Sequence, residues 1–357
     1  MMPCLLKTSA FAQPSEKNGS SWGMVASYTG DAVGNLKGGI SQGGGYLGYA
    51  VLGVSYDGKE NGRWRNGGFR LTGGWTHGCT PTESFVGDWQ FVDNLEAGNH
   101  LFLQECYLSQ QWKNLEVTLG MQDFCLHYCF LPSANLYMNS SFGISSVLTC
   151  NYQLSIYPLF ALGCNLRWQI SPSFGLQAAV FDTPLDWEEN PYNLNWCFQR
   201  EKGYNLVLEG TYASSPENGT LLKMAFITRT DDGAVGLQAL AEQCLAESER
   251  HSLHLFLMGA IHLSENCNHP LQFAAGGNFR GLCTKSGKDV LGLAITDASI
   301  RSAGSLQHET VLELTWMLPW NDHVYIQPDL QYLIHPFGEC ERKSNALFAA
   351  LRFGVEW

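Results

Sequence analysis

Leu347-Phe348-Ala349-Ala350-Leu351-Arg352-Phe353-Gly354-Val355-Glu356-Trp357 is the stretch on which the reading of this chain turns. Every odd position from Leu347 to Trp357 is apolar, and the even ones from Ala350 onward are small or charged, so a period of two runs through it. One face is greasy and the other is not. The pattern fits a transmembrane β-barrel whose final strand closes against the first, with apolar side chains toward lipid. It fits equally the half-buried last strand of a soluble sandwich. In the barrel reading Leu351, Phe353, Val355 and Trp357 face lipid and Arg352 turns toward the pore.

Composition moves the balance. Charged residues are 15% of the 357, aromatics 12%, and glycines number 38, a mixture that favours an all-β chain with many turns. Mean hydropathy is -0.11, and no run of 18 apolar residues occurs; the apolar segment Leu253 to Ile261 is short and broken by His254. A membrane-spanning helix is therefore not expected, whereas a barrel, whose apolar residues alternate, stays open. The net charge of -12 argues against a nucleic-acid partner, which demands basic patches. Ala10-Phe11-Ala12 has the small-x-small form of a signal-peptidase site behind a short stretch interrupted by Lys7, so residues 1–12 read as the remnant of an export signal and 13–357 as one barrel domain. Of the twelve cysteines none forms a Cys-x-x-Cys pair, so neither a metal nor any other cofactor is expected. In an oxidising compartment they can pair within or between chains, while several, such as Cys164 between Leu162 and Leu166, sit as small hydrophobes on an apolar face.

Along the chain, short alternating runs are separated by turn residues. Strands are expected at 21–29, 46–54, 69–75, 85–92, 101–112, 115–122, 147–156, 162–170, 206–212, 222–229, 253–261, 271–279, 290–295, 310–318, 324–334 and in the terminal stretch. The segment 234–248 has the Ala, Leu and Glu content of a helix, but its context favours a strand from Val235 to Leu245. Residues 124–145 form a long insert without periodicity, a length uncommon unless functional. About eighteen β candidates with no composition shift between them give one all-β unit, and the amphipathic strands favour a barrel with a polar interior.

Several blocks then resemble one family, the OprB-type carbohydrate-selective porins. The most specific is Gln327-Pro328-Asp329-Leu330-Gln331-Tyr332-Leu333-Ile334-His335-Pro336, followed by a last strand containing Leu351-Arg352. Ser27-Tyr28-Thr29-Gly30-Asp31 with Gly34-Asn35 and Gly38-Gly39 is similar, as is Gly120-Met121-Gln122-Asp123-Phe124 with Leu136-Tyr137-Met138-Asn139-Ser140-Ser141-Phe142-Gly143. Smaller matches are Val86-Gly87-Asp88, Glu105 within Gln104-Glu105-Cys106-Tyr107, Glu209 before Tyr212, and Glu313 ahead of the Pro-Asp block. The blocks keep family order from Tyr28 to Trp357. Trp357 where Phe is usual, the many cysteines and the incomplete export signal depart from the pattern. The resemblance implies a sixteen-stranded antiparallel barrel of the bacterial outer membrane, delivered by the barrel-assembly machinery, monomeric or homotrimeric, through which mono- and oligosaccharides diffuse into the periplasm. It also implies that the surplus strand candidates belong to the glycine-rich N-terminal region.

A pore for a neutral, heavily hydroxylated solute needs donors and acceptors that replace lost water, and arginine with acidic partners suits this. Strand parity turns Arg70, Arg167, Glu209, Arg229, Glu313, Asp329, Gln331 and Arg352 inward, and Glu105 and Asp123 join them from the family blocks. Each is equally a wall charge paired with a cross-strand neighbour. The insert is expected to fold into the barrel as the constriction, with Asp123, Asn135 and Asn139 at the narrow point and Tyr137 as a stacking ring. An ordinary external loop is the alternative. No catalytic arrangement is found: His251 and His254 point to opposite faces of a strand, and Glu309 and Glu313 read as pore charges. A sugar pore leads. Its rivals are a cysteine cross-linked structural barrel, a barrel enzyme, for which no rim triad is found, and a general cation-preferring porin suggested by the net charge.

Overall fold

The computed structural model describes residues 21–58, 64–196, 198, 201–214, 219–264, 267–284, 286–302, 305–336 and 344–357; the expected export remnant at 1–12 lies outside them. Alternation of apolar and small or polar residues produces sixteen strands. They are β1 (Trp22–Gly39), β2 (Gly43–Asp57), β3 (Gly67–Gly78), β4 (His100–Trp112), β5 (Leu115–Gln122), β6 (Ala161–Gln169), β7 (Phe174–Asp182) and β8 (Tyr204–Ala213) in the first half. The second half holds β9 (Thr220–Arg229), β10 (Val235–Glu247), β11 (Ser252–His262), β12 (Leu271–Arg280), β13 (Val290–Ser302), β14 (Ser305–Pro319), β15 (Val324–Ile334) and β16 (Ser344–Glu356). Each pairs antiparallel with its neighbours in sequence, and β16 pairs with β1, so the sheet closes and no edge remains.

The terminal stretch does what its pattern demands. Leu351 and Phe353 are 48% and 39% exposed on the outer wall, while Arg352 between them is 5% exposed inside. A ring of outward aromatics, among them Trp22, Tyr56, Trp112, Trp168, Phe174 and Trp357, marks the barrel end that carries both ends of the sheet, as expected where a wall meets the membrane interface. Trp22 packs edge-on against Tyr56, and Phe174 lies tilted against Tyr212, with ring centroids 5.1 and 4.9 Å apart.

Two expected strands are not strands. Residues 82–86 form a helical turn, with irregular chain following through 92, and 147–156 begins in the helix α2 (Ser146–Asn151). Both stretches are apolar because they are folded inside the barrel, where Val86, Val92, Val147 and Leu148 are fully buried. The surplus therefore lies in the inward loops and not in the glycine-rich N-terminal region, whose glycines belong to β1 and β2. Conversely, β7 has no counterpart among the expected strands. The ambiguous 234–248 segment is a strand, β10.

The interior is less polar than expected. On β11, Leu255, Leu257 and Ile261 face outward, yet Phe256, Met258 and Ala260 on the inner face are also apolar and buried. Phe256 and Met258 pack with Leu131, Ala134, Leu136, Tyr137 and Phe142 of the insert. A strand with lipid on one side and a folded loop on the other has no reason to alternate in polarity, and this explains the Leu253 to Ile261 run. On β13, Gly292 leaves space for that loop: a Cβ there would stand 2.7 Å from Leu136 and 2.9 Å from the Tyr137 hydroxyl.

Candidate functional site

The three long connections, 79–99, 123–160 and 183–203, all leave the barrel end opposite the aromatic ring just described, and by the usual asymmetry of such barrels this is the external end. The first two fold into the lumen. Residues 123–160 start at Asp123, whose carboxylate accepts the Cys125 N–H at 2.8 Å and so caps the short helix α1 (Phe124–Tyr128). Beyond α1 the backbone has few partners of its own, so the wall supplies them. Glu242 on β10 accepts from Ser133 N at 2.8 Å, and Glu313 on β14 accepts from Met138 N and Asn139 N at 2.6 and 3.1 Å. Gln272 on β12 accepts from Ser146 N, and Gln327 on β15 donates to Leu136 O at 2.7 Å.

Residues 79–99 are held in the same manner. Glu309, two pleat repeats before Glu313 on β14, accepts from both Trp89 N and Gln90 N at 3.1 Å. Gln331 donates to Val92 O at 2.7 Å and Arg352 to the Asn94 side chain at 2.8 Å. The third loop touches the second and the wall: Asn193 donates to Pro158 O at 3.1 Å, and Trp187 stacks on His100 of β4 with centroids 3.8 Å apart.

The expected site residues fall into separate groups. Arg352 chelates Asp31 through Nε and Nη2 at 2.9 and 2.7 Å and reaches Asp93 at 3.4 Å. Next to it on β15, Asp329 accepts from Gln331 at 3.0 Å, and Gln331 also takes a bond from Asn139 at 3.3 Å. Arg70 pairs with Glu105 at 2.5 Å across β3 and β4, where Thr72 adds a bond of 3.2 Å. Glu209 is buried between Lys223 at 3.1 Å and Gln177 at 2.7 Å. Arg167 stands half exposed between Glu116 at 3.7 Å and His127 at 3.3 Å. Arg229 sits at the loop end of β9, bonded to Asp231 and to Lys202 O, away from the constriction.

Between the loops and the wall lies a cavity of about 750 Å³. Of the ten expected site residues only Asp123 and Arg352 border it. Asn135 joins them as expected, but Asn139 is buried with its side chain capping Ser141 N at 3.0 Å. Tyr137 is not a free stacking ring: it is 1% exposed, donates to Gly277 O at 3.0 Å, and packs on Phe142 and Phe256. The aromatic residues bordering the cavity are instead Tyr49, Trp89, Phe91, Phe130, Phe142, Tyr152, Tyr157 and Tyr325. The charged ones are Glu96, Asp123, Asp186, Lys202 and Arg352.

Sequence parity missed Gln104, which is buried inside together with its neighbour Glu105. A bulge between Thr72 and Gly73 in the β3–β4 register turns both the same way, and Tyr49 donates to Gln104 at 2.6 Å. Burial alters the loop groups. It pushes the Asp123 carboxyl up to about 8 and that of Glu96 up to about 7. Burial together with the nearby Arg167 and Lys223 holds His127 down to about 3, so it is neutral.

A sequence profile of the family described as "Carbohydrate-selective porin, OprB family" matches residues 41–240 and 228–357. No curated protein matches by sequence. Among solved structures, the high-pH structure of Pseudomonas putida OprB is 17% identical and superposes with a TM-score of 0.83 over 94% of both chains. The low-pH structure of the same protein gives 16% and 0.63, covering 94% of this chain and 93% of that one. A loop-deletion mutant of OmpT, an outer membrane protein of Vibrio cholerae, gives 8% and 0.54, covering 95% and 100%. At these identities the superpositions speak for the fold, and the profile speaks for the family.

Proposed function

Because the chain belongs to the OprB family of carbohydrate-selective porins, we propose that the cavity under its inward loops is where a carbohydrate is read as it crosses the barrel. The protein is a porin of the bacterial outer membrane, and its family admits carbohydrates by passive diffusion. The observation that carries the reading of the site is the set of wall acceptors, Glu242, Gln272, Glu309 and Glu313, which pin two loops across the lumen by their backbone amides. A sugar passing the narrowed lumen exchanges water for Asp123, Asn135 and Arg352, and lays its apolar ring face on Trp89, Phe91 or Tyr325. Arg70, Glu105, Glu209, Glu313, Asp329 and Gln331 act behind this surface by holding wall and loops in register, while Arg167 and Arg229 flank the path on either side. Residues 1–12 act as the end of an export signal for the single barrel that follows, which the barrel-assembly machinery inserts as a monomer or homotrimer.

Liposome swelling with sugars of graded size tests this. Pentoses and hexoses are expected to enter readily and larger oligosaccharides progressively more slowly. Entry of mannitol-sized solutes no faster than into protein-free liposomes defeats the reading.

One observation favours a second property of the same pore, preference for cations. Both basic residues at the cavity are already held by carboxylates, Arg352 by Asp31 and Lys202 by Glu189 at 2.5 Å. Glu96 and Asp186 have no basic partner among the described residues: Glu96 accepts from Thr82 N at 3.0 Å, and Asp186 from Glu188 N and Glu189 N. The reversal potential in a salt gradient is expected to take the cation-selective sign, and a value of zero excludes the preference.

A further inference from the structure

The inward segment carries cysteines that passage of a solute does not use. Cys125 and Cys129 lie one helical turn apart, the second closing α1 through its N–H to Cys125 O at 3.1 Å, so both side chains leave the same face. Both border the 750 Å³ cavity, and neither is in a disulfide. His127 between them turns the opposite way, toward Arg167 and Asn165. Cys129 is 1% exposed and meets the Gln238 amide of the wall at 3.7 to 3.9 Å, while Cys125 is half-buried beside the cavity.

We propose that Cys125 and Cys129 form a dithiol site in the pore wall that captures a thiophilic d10 cation of the Cu(I) type from the passing solution. Thiolate sulfur selects soft cations, and a two-coordinate ion asks for two sulfurs and nothing more. Two metal–sulfur bonds of about 2.3 Å set end to end ask for a separation of about 4.6 Å, within reach of neighbouring helical side chains after a small rotamer change. The step balances as Cu(I) plus two thiols giving a bis-thiolate complex and two released protons, with no change of oxidation state. Hard cations such as sodium or calcium gain nothing from neutral thiols and pass by. Among the described residues no cluster of three or more His, Cys, Asp or Glu could hold a metal, so the site differs in kind from a zinc or calcium centre. It does not depend on which solute the pore admits.

The test uses the full chain, reduced and refolded in detergent, with Cu(I) supplied from a chromophoric chelator. The wild type is expected to withdraw one tightly held equivalent that Cys125→Ser and Cys129→Ser each lose, while Cys283→Ser, which removes an exposed thiol elsewhere, keeps it. Single-channel conductance in planar bilayers should fall on loading the wild type and the Cys283→Ser protein, and hold steady in the other two. Phenylarsine oxide gives an independent reading, because its arsenic condenses with two adjacent thiols and releases one water, its own oxygen leaving with the two thiol protons; one equivalent should bind, and either single substitution should abolish it. Equal Cu(I) uptake by all four proteins, or phenylarsine oxide binding that survives Cys125→Ser, overturns the proposal. Sugar entry by the unloaded variants should equal that of the wild type, which separates this outcome from the fate of the porin reading.

Discussion

Arg352 shows what a single residue does in this barrel. Its guanidinium lies at the seam between β16 and β1 with Asp31 opposite and Asp93 of a folded loop behind, and all three are buried. Truncating one member of a buried pair leaves the other charged without a partner, at a cost of about 3–5 kcal/mol. Arg352→Met is therefore expected to lower the thermal midpoint sharply, and the double change Arg352→Met with Asp31→Asn to recover part of it; melting in detergent followed by far-ultraviolet dichroism reports both. Glu96 gives a pH signature. Its carboxyl is raised from 4.5 to about 7, so the folded chain keeps a proton that the unfolded chain loses, and stability falls as pH rises across that window and levels off above it. The same ionisation adds negative charge to the cavity, so cation preference should increase as pH passes about 7, and Glu96→Gln should flatten both trends. Parity in the sequence was enough to face Arg352, Glu209 and Asp329 inward, because a period of two is a property of the strand itself. It could not say that Arg352 meets Asn94 or that Glu313 meets Met138 and Asn139, since these arrive from distant loops.

Elements were legible where lipid sets one face and water the other, and illegible where the chain folds back on itself. The runs at 85–92 and 147–156 have the apolar content of strands because they bury themselves inside the barrel. The insert was marked by its length and lack of period, yet the acceptors that hold it lie on β10, β12 and β14, far away in sequence. On β14, Glu309 and Glu313 resemble a catalytic carboxylate pair in sequence, whereas each receives two amides from a different loop. Removing residues 128–140 is expected to raise single-channel conductance and blunt discrimination between small and large sugars. Unchanged conductance and uptake would refute a constriction made by this segment. Glu313→Ala, which frees Met138 N and Asn139 N, should act in the same direction more weakly, with more current noise as the loop loosens.

For the whole molecule, closure of sixteen strands leaves no free sheet edge, and the outer wall needs only apolar bulk and aromatic ends. That economy is why so weak a sequence signal specified the architecture, while the contents of the lumen, which depend on distant loops meeting, did not show. The seam adds a consequence for assembly. If β16 slid two residues along β1, Arg352 would lie across from Thr29 or Val33 in place of Asp31, and its charge would be stranded. A misregistered closure is thereby penalised at the moment the last pairing forms, so the ion pair works as a proofreader: it lets the barrel tell a correct final zip from one in error before the join becomes permanent.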